Sequence, residues 1–248
     1  MKIKKYIFLF LVVLSFSLYA NEYTEEQQAK IDKGMEYFNV YDPFETFNKK
    51  IYYFNYKFDK YIFLPTTRFY KAVTPVFVRK GVNNFFNNTK NISTAGNALL
   101  QLKIKKTMRT IGRFTMNIAF GFGGTIDAAS EFGMPKPYED FGLTLAHYGV
   151  KKGPYLILPI LGPSNFRDAI GTGVDTLINR NFYNESYLPD MNEPEVALLQ
   201  GVNKRDHVPF KYYGTGSPFE YEYVRFLYQK YRELQSDIGT EVFWLKIK

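Results

Sequence analysis

The chain has 248 residues, of which 46% are hydrophobic and 23% charged, and a formal net charge of +8. It contains no cysteine, which excludes disulfides, thiolate nucleophiles, zinc–thiolate sites and iron–sulfur clusters. Its aromatic content of 19% comes almost wholly from 21 Tyr and 24 Phe. Between Tyr41 and Tyr70, 12 of 30 residues are Tyr or Phe. Aromatic rings beside lysines suit the headgroup boundary of a bilayer; an aromatic-rich soluble core is the other reading that this composition allows.

The first residues divide as a secretory signal does. Lys2, Lys4 and Lys5 form a positive region, Tyr6 to Leu14 is an apolar run extended to Tyr19, and Ala20 offers a small residue for cleavage. The run is short of the roughly 20 residues of a spanning helix. Leu18 stands where a smaller residue is usual, so an uncleaved N-terminal anchor stays open beside a cleaved signal of residues 1–20. Cleavage would remove three lysines and leave a charge of +5. No later segment has 18 consecutive apolar residues. Residues 21–40 read as a polar leader, 41–236 as one helical domain and 237–248 as a C-terminal tail.

Helix-start signals follow. Asp42-Pro43-Phe44-Glu45 and Ser217-Pro218-Phe219-Glu220 each place a capping residue, a proline and a glutamate in sequence, Asn192-Glu193-Pro194-Glu195 is a close variant, and Thr74-Pro75 is a simpler start. Behind the first, Phe44, Phe47, Ile51, Phe54 and Phe58 share one helical face. Behind Thr74-Pro75, Val76, Val82, Phe85 and Phe86 are apolar among basic and amide residues. A helix over 103–120 carries Ile104, Met108, Ile111, Thr115 and Ile118 on one side. Ser164 is expected to cap another, with Phe166, Ala169, Ile170, Val174, Leu177 and Ile178, and a last helix is expected from Pro218 to about Ser236. Tyr155–Ile160 reads as an extended connector or isolated strand. The fold class is mainly α.

The chemistry-bearing residues are few. The only histidines, His147 and His207, lie in no HExxH pattern, and a structural role is expected for His147. Ser164 after Gly162-Pro163 is not a nucleophile elbow. Gly121-Phe122-Gly123-Gly124-Thr125 lacks the lysine of a P-loop and follows a helix, not a strand; it reads as a flexible bend between apolar segments. Arg167-Asp168 and Glu139-Asp140 are expected to cap or ion-pair. These readings predict no catalytic residue, no metal and no cofactor. The export signal and the absence of long Lys/Arg clusters argue against nucleic acid.

Two stretches are more specific. One is Asp42-Pro43-Phe44-Glu45-Thr46-Phe47-Asn48-Lys49 with Phe54-Asn55; the other runs from Glu139-Asp140-Phe141-Gly142 through His147-Tyr148-Gly149 and Gly153-Pro154-Tyr155 to Gly162-Pro163-Ser164-Asn165-Phe166-Arg167-Asp168. Together, with Asn83–Asn88 and Gly121–Asp127 in order between them, they resemble the MlaA (VacJ) family of outer-membrane phospholipid-retrieval proteins over roughly residues 36–236. The resemblance implies a single ring-like helical domain of amphipathic helices embedded in one leaflet of the outer membrane, facing the periplasm. It implies no enzymatic activity, removal of mislocalised phospholipid from the outer leaflet through an amphipathic channel, an outer-membrane porin trimer as partner, and delivery to a periplasmic lipid carrier protein. On it, Phe47, Phe54 and Asn55 are expected to control the channel, and Phe120, Phe122 and Ile126 to form a channel-side bend. Many members carry an acylated cysteine, which this chain lacks. A soluble periplasmic binding or scaffolding protein is the competing reading, and an exported hydrolase a third.

Overall fold

The computed structural model describes residues 40–184 and 193–237. The signal segment, nearly all of the polar leader, Asn192 and the tail beyond residue 237 lie outside the described residues.

The described chain is mainly helical. Helix α1 (Glu45–Phe58) continues through a π-helical segment (Asp59–Phe63) into α2 (Leu64–Val73). Thr74-Pro75 breaks it, and α3 (Val76–Leu100) follows; α3 packs closely against α4 (Ile104–Ala119). Two short helices come next, α5 (Ala128–Glu131) and α6 (Phe141–His147). A hairpin of β1 (Tyr155–Leu158) and β2 (Gly162–Asn165) leads into α7 (Phe166–Asn184), and α8 (Pro194–Asp206) and α9 (Glu220–Asp237) close the chain. No helix among the described residues is long and apolar enough to cross a membrane.

Three local expectations are corrected. Tyr155–Leu158 is neither connector nor lone strand: it pairs antiparallel with Gly162–Asn165, Tyr155 opposite Asn165 and Leu158 opposite Gly162. Its other edge is satisfied from a distance. Asn48 donates to the Tyr155 carbonyl (3.0 Å) and accepts from Ile157 N–H (2.9 Å), while Asn55 donates to the Leu158 carbonyl (3.0 Å) and accepts from Ile160 N–H (2.7 Å). Seven residues apart on one face of α1, the two amides imitate the peptide groups of a missing strand, so the edge is covered without one.

The cap of α7 is Asn165, whose side chain accepts from Asp168 N–H (2.9 Å), and Ser164 instead donates to the Asn165 carbonyl. Asp42 does not cap α1, which starts at Glu45 with no side-chain cap. Its carboxylate accepts from Asn48 (2.8 Å), Tyr221 and Arg225 (3.0 Å), joining α1 to α9. The equivalent acid at the other end, Glu220, accepts from the Tyr52 hydroxyl (2.7 Å) and from Thr215.

The apolar core is small and built from tyrosine: Tyr52, Tyr155, Tyr221 and Ile157. The rings meet edge to face, Tyr52 and Tyr221 at 5.8 Å and 86°, the arrangement that ring quadrupoles favour. Beside it α6 and α7 approach so closely that a β-carbon on Gly171 would sit 2.4 Å from the Gly142 nitrogen. Gly171→Ala is therefore expected to cost about 1–3 kcal/mol or more. Gly173→Ala, with nothing within 4 Å, is expected to be neutral or to gain about 0.5–1 kcal/mol. Thermal unfolding of the two variants in mild detergent checks the contrast.

Candidate functional site

Polarity runs the opposite way to that of a water-soluble protein. Among the described residues, buried polar and charged side chains outnumber buried apolar ones more than two to one. Helix α4 shows how this arises. Its threonine, amide and arginine residues (Thr107, Thr110, Arg113, Asn117) are buried, whereas Ile104, Met108, Ile111 and Ile118 face outward. In α1, Asn48, Tyr52 and Asn55 point inward with Asp59 beyond them, while Phe44, Phe47 and Phe54 are exposed. An exposed large apolar side chain forgoes much of the roughly 1.5–3 kcal/mol that burial supplies. Over the whole outward set, that rivals the about 5–15 kcal/mol net stability of an ordinary domain. Such an exterior calls for hydrocarbon against it.

The buried charges are paired. Arg232 on α9 bonds Asp140 through both guanidinium arms (2.7 and 3.0 Å) and Asp168 through Nε (2.7 Å). Asp140 also caps α6 by accepting from Leu143 N–H (2.7 Å). Burial works against the Arg232 charge, but the two carboxylates outweigh it and raise its pKa. Glu139 holds Lys103 (2.9 Å), Lys106 (2.8 Å) and Gln101 (2.9 Å). These contacts bear out the capping and ion-pairing expected of Glu139-Asp140 and Arg167-Asp168. Arg205 on α8 bonds both oxygens of Asp59. His147 is exposed, its ring against Tyr148 at 5.2 Å.

Two adjoining cavities lie among these elements. The first, of about 330 Å³, is lined mainly by apolar groups, including Phe58, Phe63, Val208, Phe210 and Val224, with Asn55 and the Asp59–Arg205 pair. The second, of about 360 Å³, is lined by Tyr138, Tyr228, Tyr231, Asp140, Asp168 and Arg232. Leu161, Pro163 and Lys204 line both, so an apolar chamber opens onto a polar one at the hairpin tip. That combination accommodates a molecule with an apolar and a polar end.

The sequence-derived candidates separate into three situations. Asn55 lines the apolar chamber while its amide clamps the hairpin. Phe47 and Phe54 lie on the exposed face of α1, and Phe54 stacks against the chamber residue Phe58 at 6.1 Å. Phe120, Phe122 and Ile126 project from the turn after α4, with Phe122 87% exposed; the lining of the two chambers does not include them. That turn is hydrogen-bonded throughout: Gly124 N–H donates to the Asn117 carbonyl (2.9 Å), and Ile126 N–H to the Gly121 carbonyl (2.8 Å). Phe122, Gly123 and Gly124 all have positive φ, a run that favours glycine. Beneath it Asp127 accepts from Arg113 (2.7 Å), Lys136 (2.7 Å) and Ser130 (2.7 Å). Burial alone would raise the Asp127 pKa, but its bonds from Lys136 and Ser130 and the Arg113 charge bring it down to about 2. Sequence reasoning singled out Asp140 and Asp168 but missed Lys204, Arg205 and Arg232, which joins the two aspartates from up to 92 positions away.

A model of the MlaA lipoprotein family matches residues 40–235. A protein of Rickettsia conorii is 41% identical over 166 residues, covering 65% of this chain and 66% of that protein. The intermembrane phospholipid transport system lipoprotein MlaA of Escherichia coli K12 is 37% identical over 141 residues, 54% of this chain and 55% of that protein. The chain thus spans about half to two thirds of the curated relatives it matches. A solved structure from work on the maintenance of bacterial outer-membrane lipid asymmetry superposes with a TM-score of 0.62 at 28% identity, covering 81% of this chain and all of that one.

Two outcomes are expected. Replacing both Met108 and Ile111 by Glu, on the outward face of α4, should shift the protein from membrane to soluble fractions while its circular dichroism in detergent is unchanged. The depressed pKa of Asp127 makes its contribution complete above its usual 3.8 and lost as pH falls through about 2. The unfolding midpoint of Asp127→Asn should therefore fall less steeply between pH 4 and pH 2 than that of the wild type.

Proposed function

The chain belongs to the MlaA lipoprotein family, and on that premise we propose that it is the outer-membrane component of phospholipid transport between the two membranes of the cell envelope. It is a transport component, not an enzyme. A helical ring sits in one leaflet, accepts mislocalised phospholipid from the outer leaflet through an amphipathic channel and passes it to a periplasmic lipid carrier protein. An outer-membrane porin trimer holds the ring at its working depth.

One observation carries this reading: an apolar exterior encloses a polar interior, in which an apolar chamber and a polar chamber share a wall. A phospholipid needs both kinds of surface at once, and a soluble carrier has no use for the exterior. The competing account, an aromatic-rich soluble core, meets the finding that the buried aromatics among the described residues are Tyr52, Phe86, Tyr155 and Tyr221, whereas Phe77, Phe69, Phe120 and Phe122 lie outside. We read membrane retention as the work of that exterior.

Within the channel we assign Asn55 to the wall, Phe54 and Phe47 to its outer approach, and Phe120, Phe122 and Ile126 to a bend dipping into acyl chains. Positive φ at Phe122 holds its ring outward, where hydrocarbon is a better neighbour than water. Deleting the gene is expected to raise phospholipid exposed at the cell surface and to sensitise cells to detergent. The wild-type gene should restore both, and the Met108, Ile111 double-glutamate variant should restore neither. Unchanged surface phospholipid in the deletion strain would sink the transport reading.

A further inference from the structure

Lys204 occupies an unusual position. It stands in the last turn of α8 and lines both chambers, where the apolar one opens onto the polar one. The other charges on these walls are spoken for: Arg205 by Asp59, and Arg232 by Asp140 and Asp168. Lys204 has no such partner among the described residues, and the apolar chamber, lined by Asp59, Arg205 and Lys204 as its charged groups, carries one excess positive charge. An ammonium at a chamber wall that no salt bridge among the described residues engages is an arrangement that an anion relieves.

We propose that Lys204 binds the phosphate of a lipid headgroup whose acyl chains occupy the chamber lined by Phe58, Phe63 and Phe210. The site rests on the transport reading and adds to it a residue-level preference: lipids that carry a phosphate are held more tightly than lipids that lack one. The apolar chamber supplies affinity without regard to headgroup, since burial of methylenes is non-directional. The ammonium supplies discrimination, as a point charge that accepts phosphate oxygens from several angles.

The test uses the purified full chain in mild detergent and equilibrium binding of two fluorescent probes with the same labelled acyl chain, a phosphatidylglycerol and a diacylglycerol that lacks phosphate. The wild type is expected to bind the phosphatidylglycerol about tenfold more tightly, the factor that one charge-assisted hydrogen bond provides. Lys204→Gln should lose most of that difference while still binding the diacylglycerol, and Lys204→Arg should keep it. Undiminished phosphatidylglycerol binding by Lys204→Gln, or equal binding of both probes by the wild type, overturns the headgroup site and leaves the transport reading standing. Failure of the wild type to bind either probe overturns both. Displacement of the phosphatidylglycerol by inorganic phosphate at matching concentration would assign the site to free phosphate and overturn the lipid assignment.

Discussion

A buried amide or charge without a partner costs more than a well-made hydrogen bond contributes, and the fold is organised around meeting that demand. With apolar side chains turned outward, the helices are joined inside by directional bonds. Each main tie links distant segments: Asp42 with Arg225, Asp59 with Arg205, Asp140 and Asp168 with Arg232. Such pairs are not net sources of stability by default, since a buried ion pair often does no better than well-packed hydrocarbon. Removing one partner, however, costs about 3–5 kcal/mol, because the other charge stays buried. Where hydrocarbon lies outside, apolar packing cannot distinguish the inner face of a helix from the outer one. Hydrogen bonds and ion pairs can, and they fix which face turns in.

The same rule explains the hairpin. A two-stranded sheet leaves an edge of unpaired peptide groups, which is marginal in water and worse when buried. Asn48 and Asn55 complete it from α1, more than 100 positions away in sequence. Both belong to the aromatic stretch that the sequence marks as distinctive, yet the rings and the amides of that stretch have separate tasks. The amides hold the hairpin, and most of the rings face outward.

Much of the helical order was legible in the sequence. Proline and glycine punctuation and 3.6-residue spacing placed α1, α3, α4, α7 and α9 close to where they lie. Spacing reveals that a helix has two faces but not which one is inside. Ile104, Met108, Ile111 and Ile118 make the same pattern whether they meet a core or a lipid. Composition alone left that choice open for the aromatic residues too. Capping residues misled where a tertiary partner outbid the local amide, as at Asp42, or where an asparagine stood next to the serine, as at Asn165. The strand Gly162–Asn165 has no apolar alternation, and the other edge of its partner Tyr155–Leu158 is satisfied by a helix far upstream. The short helix Phe141–His147 was hidden inside a recognisable motif whose regularity comes from contacts: Gly142 is small because Gly171, Asp168 and Arg232 press against it.

The candidate site was the least legible part, and the reason lies in how its charge is distributed. Lysine at position 204 is one of three charged residues in a row, Lys204-Arg205-Asp206, which reads as an ordinary solvated helix end. In three dimensions the three part company. Arg205 pairs with Asp59 on the wall of the apolar chamber, Asp206 turns to Arg79 and Lys71, and Lys204 lines both chambers without a salt bridge among the described residues. On the proposed reading this division matters for passage. A conduit that bound an amphiphile strongly along its whole length would not release it. Walls of neutralised pairs offer hydrogen bonds without a deep electrostatic well, and the tails meet apolar surface of no fixed geometry. One uncompensated ammonium, placed where polar and apolar walls meet, orients the headgroup at the one point where its direction has to be set.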